Sequence, residues 1–361
     1  MARLPNYAVP TGEFIQEWMD DNGVNAAEMS RRLGVTPKHV SELLRGKVGL
    51  SADMAITLER VTGITSRFWN GIEAQYRSDL VRLEAEAVLV AQLPQAKAYP
   101  LNYLRKLGFI DAEPYDKAGV VEQVLSFFRV ASMDALDSTW CQGVAYRKAA
   151  IANPKSKHLL TWLTVAERDV VFSALQPFDK DALQELLPKL RALSLGDPDA
   201  YIAQLIDNLS GVGVALRIVP EVPGLGVHGA TRWLDHHPII QLSLRGKADD
   251  QLWFTLFHEL GHVLLHEDRG LYLTADDSET EQEADRFAAD ILIPSEMAVA
   301  LPRGRNLGEV ERLAAEIGVA PGIVLGRVQR DTGDYAWGNS LKQHFRFVEE
   351  PEDTKPNRAA V

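Results

Sequence analysis

The run LWFTLFHELGHVLLH, residues 252–266, constrains this chain more than any other stretch. It is long enough for about four helical turns and too short to span a membrane. A helix this apolar belongs in a core, buried by Leu256, Phe257, Leu260, Val263 and Leu264. His258 and His262 are four residues apart, so a helix puts both on one face, where two imidazoles reach one metal ion. Glu259 lies one step round, placed to hold a water and act as general base. Zinc in a hydrolytic site takes three protein ligands and keeps the fourth position open. The chain therefore has to bring in a third ligand from elsewhere.

The segment ETEQEADRFAADILIP, which follows some residues later, supplies candidates. It predicts a helix over 278–292 that stops at Pro294. Glu281 and Asp285 share a face with Ala284 and Ala288, small residues that let this helix approach the histidine helix closely. Glu281 is the candidate third ligand. Asp285 is the candidate partner of a ligand histidine, where a carboxylate on the outer nitrogen fixes the tautomer and raises its basicity. The pairing resembles the Glu-x-x-x-Asp arrangement of gluzincin metallopeptidases. Glu283 is the next candidate, and the plain alternative is that Glu279, Glu281 and Glu283 form a solvated acidic face. His266 follows His262 by one turn, without the glycine and longer spacing of metzincins, and is read as supporting or structural. His228, His236, His237 or Tyr272 could stabilise an oxyanion, with no signal that selects one. A substrate peptide is expected to pair with an edge strand at 239–244.

Near the other end, NAAEMSRRLGVTPKHVSELLRGK has the layout of a helix-turn-helix. A first helix, Ala26–Leu33, turns Met29 and Leu33 inward and is broken by Gly34. Thr36 is a good N-cap and Pro37 suits the first helical position. The second helix keeps Val40, Leu43 and Leu44 for the core. That leaves Thr36, Lys38, His39, Ser41 and Glu42 on its leading side to meet base edges, and Arg31, Arg32, Arg45 and Lys47 to meet phosphates. With 50 acidic against 38 basic side chains and a net charge of -12, the chain as a whole is a poor polyanion binder, so DNA contact needs such a local basic patch.

The intervening sequence reads as scaffold. A long helix is expected over 72–93, either a connector or a dimer seam, with Leu80, Leu83, Ala87 and Val90 at helical spacing. LNYLRKLGFI, VVEQVLSFFRV, RDVVFSAL and DALQELLPKLRALSL are further amphipathic helices. From Gly211 the pattern changes to strands, GVALRIVP and HPIIQLSLR, with VPGLGVHGATRW between them. RNLGEVERLAAEIGVAPGIVLGRVQRDTG reads as two helices separated by Pro321. The lone Cys141 excludes an internal disulfide and a cysteine zinc site, and is expected as a buried thiol in a reducing compartment. The N-terminus lacks the apolar core of a signal peptide, and no apolar run is long enough to span a bilayer. The expected location is the cytoplasm, with no membrane partner.

Residues 10–76 resemble the HigA-type antitoxin and repressor branch of the Xre helix-turn-helix family, including the leading Pro-Thr-Gly-Glu and the SRFWNGIEAQY ending. That resemblance implies a homodimer on a palindromic double-stranded operator. GATRWLDHHPIIQLSLRGKADDQLWFTLFHELGHVLLH, then EQEADRFAADILIP and GVAPGIVLGRVQ, resemble the ImmA/IrrE metallopeptidase family, in the subgroup fused to an Xre domain. The resemblance implies a gluzincin-like core and cleavage of a partner repressor. The family more often has Asn where this chain has Asp285.

The expected fold is mainly α with a small β-sheet (α+β). It divides into an all-α DNA-binding domain (1–76), a helical connecting region (77–210), a gluzincin-like metallopeptidase domain (211–348) and a disordered tail (349–361). The expected activity is that of a DNA-binding regulator in which His258, His262 and Glu281 hold one Zn²⁺. Glu259 is the general base, Asp285 and His266 stand behind the ligands, and the substrate is a repressor, a toxin partner or the chain itself. The alternative is a HigA-like antitoxin or autorepressor whose metallopeptidase-like domain senses or scaffolds with little proteolysis.

Overall fold

The computed structural model describes residues 6–141, 155–168, 170–266, 271–273 and 279–345, apart from the side chains at 139–141, 199 and 273. The Cys141 thiol and the expected tail at 349–361 therefore lie outside the described residues. The chain forms two compact units, residues 1–96 with 110–127 and residues 97–109 with 128–361. Its layout is mainly α with a small sheet. Among the described residues no helix is long and apolar enough to cross a membrane.

In the first unit, helices α1 (Thr11–Asp21), α2 (Ala26–Leu33), α3 (Pro37–Leu44), α4 (Ala52–Thr62) and α5 (Ser66–Ala91) surround a core of Ile15, Met19, Met29, Val40, Leu58 and Trp69. Local chemistry sets the boundaries of the α2–α3 pair. The Asn25 side chain accepts from Glu28 N–H, and Gly34 takes the left-handed conformation at φ 68° that ends α2. Thr36 accepts from His39 N–H and Pro37 opens α3. Leu43 is buried, but Leu44 only half so. The long helix begins at Ser66 rather than 72, because the Thr65 side chain caps it and Trp69 in its first turn is driven into the core. Val81 and Val88 on it are exposed.

The second unit is built on a four-stranded sheet in the order β1-β3-β2-β4. Its strands are β1 (Ala215–Ile218), β2 (Gly229–Leu234), β3 (His237–Leu242) and β4 (Tyr272–Leu273). β1 is parallel to β3, while β2 is antiparallel to both β3 and β4. β2 and β3 are joined by Asp235 and His236, both at positive φ, as a two-residue hairpin turn requires. Successive strand residues face opposite sides. On β2 Thr231 therefore faces the helix Asp249–Leu265, while Arg232 donates to Leu163 O in the helix Ser156–Arg168. On β3 Gln241 likewise donates to Trp162 O. The sheet is thus sandwiched between helices, and β2 reads BBBBii in burial instead of alternating.

The segment RDVVFSAL does not continue as an α-helix; past Arg168 there is only a short 3-10 turn, Phe172–Ala174. It carries β-branched Val170 and Val171 and runs into Pro177, which leaves no room for a stable helix. Residues 77–210 are shared between the two units. The helices Lys180–Ala192 and Pro198–Ser210 bury Leu183, Leu187, Leu190, Tyr201, Leu205 and Leu209 in one core with Trp253, Leu256 and Phe257. Apolar faces of this size are stabilised only by packing against a partner, and here that partner is the histidine helix.

Residues 343–345 clasp the start of the histidine helix: Asp249 N–H donates to Gln343 O, and Phe345 N–H to Lys247 O. Asp249 itself is almost fully buried, and its Oδ2 has no hydrogen-bond partner among the described residues. Burial, with the Asp250 charge, pushes its carboxyl up to about 6, against the opposing Asp250 N–H and Lys342. The folded state then holds this proton more tightly than the unfolded chain does. Its stabilising effect is complete below the ordinary carboxylate pKa and is lost as pH rises from about 4 to 6. Asp249→Asn is therefore expected to raise stability at pH 7, by on the order of 1–3 kcal/mol, and to flatten that slope. Thermal melts across the interval check it, and a lower melting temperature at pH 7 would contradict it.

Candidate metal centre and nucleic-acid interface

The histidine helix (Asp249–Leu265) and the acidic helix (Glu279–Leu292) pack closely because small residues face each other. Ala284 and Ala288 are fully buried, and a Cβ on Gly261 would lie 3.2 Å from Ala284 Cα. This approach brings His258, His262 and Glu281 together, with one ligand atom from each within 4.8 Å of the others, all three residues buried. His258 Nε2 stands 3.0 Å from His262 Nε2 and 3.0 Å from Glu281 Oε2, while Glu281 Oε1 is 3.2 Å from His262 Nε2.

Two imidazole nitrogens and a carboxylate gathered this closely can serve one metal ion. Tetrahedral zinc with bonds of about 2.0–2.1 Å separates its ligands by about 3.3 Å. The observed spacings come within a few tenths of that edge. The donor set, two imidazoles and one carboxylate with no thiolate, also suits zinc. Burial works against charge on His258, but its hydrogen bonds to Asp285 and Glu281 and the charge of Glu259 push it up to about 9. Burial likewise opposes ionisation of Glu281 and Asp285, yet hydrogen bonds with the histidines hold both carboxyls below their ordinary range. The three carboxylates around His258 thus favour positive charge in this pocket.

The supporting residues lie behind these atoms. Asp285 Oδ1 is 2.9 Å from His258 Nδ1, and its Oδ2 accepts from Arg330 Nη2 at 3.1 Å. His266 Nδ1 is 3.0 Å from His262 Nδ1, and its Nε2 is 3.2 Å from Glu283. Glu283 thus serves His266 and is absent from the group of three. The Tyr272 ring stacks on His262, with centroids 4.5 Å apart and planes at 13°. Glu259 is fully buried against β2, where Thr231 Oγ1 donates to its Oε2 at 2.6 Å. Only a glycine fits opposite it, because a Cβ at Gly229 would overlap Glu259 Oε1 and Thr255 Cγ2. Gly229→Ala is therefore expected to cost about 1–3 kcal/mol by overpacking, read as a fall in melting temperature; an unchanged melt would show that Glu259 has room to move.

One sequence expectation needs correction. The stretch 239–244 holds no edge, since β3 is paired on both sides. The sheet edges are β1 and β4, and β4 adjoins the metal group through Tyr272. His236 sits in the exposed hairpin turn and His237 Nδ1 meets Gly213 O at 2.9 Å. His228 lies beside Arg245, where burial and that charge lower its pKa. Thr231, Gly229 and Arg330 had no sequence signal, because each matters only through a partner distant in the chain.

In the first unit Arg31, Arg32, Thr36, Lys38, Arg45 and Lys47 are exposed, while His39, Ser41 and Glu42 are half-buried on α3. Arg32 pairs with Glu28 and Lys38 lies 3.8 Å from Glu42, exposed pairs that hold these cations only weakly. The α2–α3 surface thus presents a basic, polar face above a closed core.

Fold and site together define a helix-turn-helix transcription-regulator domain joined to a metallopeptidase-type domain. Residues 219–329 match the IrrE N-terminal-like domain, and residues 15–69 the helix-turn-helix family, in keeping with an N-terminal Xre-type reading. Among curated proteins it is similar to the uncharacterized HTH-type transcriptional regulator YddM of Escherichia coli (strain K12), 34% identical over 71 residues that cover 20% of this chain and 74% of that protein. It is also similar to virulence-associated protein A' of Dichelobacter nodosus, 36% identical over 75 residues, 20% of this chain and 64% of the relative. Virulence-associated protein I of the same organism is 24% identical over 82 residues, 22% of this chain and 76% of the relative.

Proposed function

We propose that this chain is a DNA-binding transcriptional regulator whose second unit is a zinc-dependent endopeptidase that cuts a partner repressor or the chain itself. The observation that carries the reading is the buried convergence of His258, His262 and Glu281 beside Glu259, in the same chain as a helix-turn-helix. His258, His262 and Glu281 hold the ion. Zinc there supplies Lewis acidity toward a water and toward a peptide carbonyl.

The protein's own residues do the remaining work. Glu259 takes a proton from the attacking water and returns it to the leaving amine, with Thr231 fixing the carboxylate's orientation. Asp285 and His266 hold the outer nitrogens of His258 and His262, so their Nε2 atoms stay turned toward each other and Glu281, where they would hold the ion. An extended peptide aligns along the β4 side of the sheet, where Tyr272 covers His262. In the DNA-binding part, Lys38, His39, Ser41 and Glu42 with Thr36 approach base edges, and Arg31, Arg32, Arg45 and Lys47 approach phosphates. The reader works as a homodimer on a palindromic operator, inside the cytoplasm.

The test compares cells carrying the wild type with cells carrying Glu259→Gln, by sequencing protein N-termini. The reading expects at least one new N-terminus that depends on Glu259. If operator DNA is bound by both proteins and no Glu259-dependent cleavage occurs, the chain is instead a regulator whose metal domain senses or scaffolds.

A further inference from the structure

The second unit contains a cavity of about 380 Å³ far in sequence from the metal ligands. That volume is at the lower end of the range for small-molecule sites, about 300–1,000 Å³. Its chemistry is one-sided. Lys97, Arg105 and His158 line it, and no Asp or Glu is among the described lining residues, in a chain whose net charge is -12. Tyr99 and Tyr103 supply buried aromatic surface, and Val222 supplies an apolar wall. Lys157 Nζ lies 4.9 Å from the centroid of the Tyr99 ring, which adds a further cation beside the aromatic surface. His158 Nδ1 is buried with no hydrogen-bond partner among the described residues.

The aromatic and apolar parts are held rigidly. Tyr103 OH donates to Pro220 O at 2.7 Å, Trp162 Nε1 to Val219 O at 3.2 Å, and Lys155 Nζ to Gly224 O. These bonds fix the 219–228 connector that carries Val222 and runs from β1 into β2. An apolar cleft lined by cations selects a flat body bearing a negative group, because a guanidinium fork matches carboxylate and phosphate oxygens while the rings cover the body.

We propose that this cavity binds a small organic anion, a carboxylate or phosphate on a planar body, and is the effector site of the regulator. The connector leads directly to Gly229 and Thr231, the residues packed on Glu259, so an occupant bracing Val222 acts on the strand that orients the general base. Binding itself does not depend on the peptidase reading.

The experiment is calorimetric titration of the full chain with phenyl phosphate, benzoate, benzamide and inorganic phosphate. Phenyl phosphate or benzoate is expected to bind one per chain, roughly tenfold or more tighter than neutral benzamide. Whichever of the two binds tighter identifies the anionic group. Arg105→Gln is expected to weaken that binding by about tenfold or more at an unchanged melting temperature; if it lowers the melting temperature, Lys97→Gln serves as the deciding variant. No saturable binding of either anion up to about 10 mM overturns the proposal. So does benzamide binding equally well, or binding that neither variant weakens. Inorganic phosphate binding as tightly as phenyl phosphate overturns the planar-body requirement and with it the assigned class.

Discussion

His262→Ala is expected to empty the metal centre, taking zinc from about one per chain to less than roughly a tenth. His262 is fully buried and its Nε2 faces both His258 Nε2 and Glu281. Removing it leaves two ligands where zinc requires three. The loss extends beyond one bond, since His266 loses the imidazole it supports and Tyr272 the ring on which it stacks. His258 and Glu281 then remain as an ordinary buried ion pair. Elemental analysis of wild type and variant, both purified after zinc supplementation, reads the result directly. Wild type that folds without binding zinc would end the peptidase reading and leave a DNA-binding regulator with a relic catalytic fold.

Glu259→Gln should separate metal binding from chemistry. The amide keeps the shape that fits under Gly229 and can still accept from the Thr231 hydroxyl. None of the three ligand atoms is touched, so about one zinc per chain is retained. The amide cannot accept the water's proton, however, and cleavage is expected to fall roughly 10²–10⁴-fold. Burying a neutral amide also costs less than burying a carboxylate, so the melting temperature should hold or rise. A variant that cleaves at the wild-type rate would remove Glu259 from the mechanism and point to another base.

Much of this site is local in sequence, which is why it could be read there. Four-residue spacing puts His258 beside His262 and Glu281 in line with Asp285, and small residues at 284 and 288 foretell a close helix pair. Asn25, Gly34 and Thr36 mark helix ends through bonds that span only a few residues. β2 was hidden for the opposite reason. It opens on Gly229 and carries Arg232, and because helices cover both faces it shows no alternation. Arg232 is tolerated there through Leu163 O and through Glu167, 3.1 Å away, both on a helix more than sixty residues earlier. The amphipathic stretch DALQELLPKLRALSL announced a buried face but not what would cover it. Arg330, which holds Asp285 from the helix Pro321–Thr332, is legible only once the chain has folded back.

The clasp at 343–345 gives the two units different birth times. The first unit closes on contacts confined to residues 1–127. The histidine helix is pinned at its start only when Gln343 and Phe345 have been made, about two hundred residues later, and at about 5–20 residues per second that interval is roughly 10–40 s. Arg330 reaches Asp285 late in the same interval. On a ribosome-bound chain the helix-turn-helix unit is therefore complete while the group of His258, His262 and Glu281 still lacks its last supports.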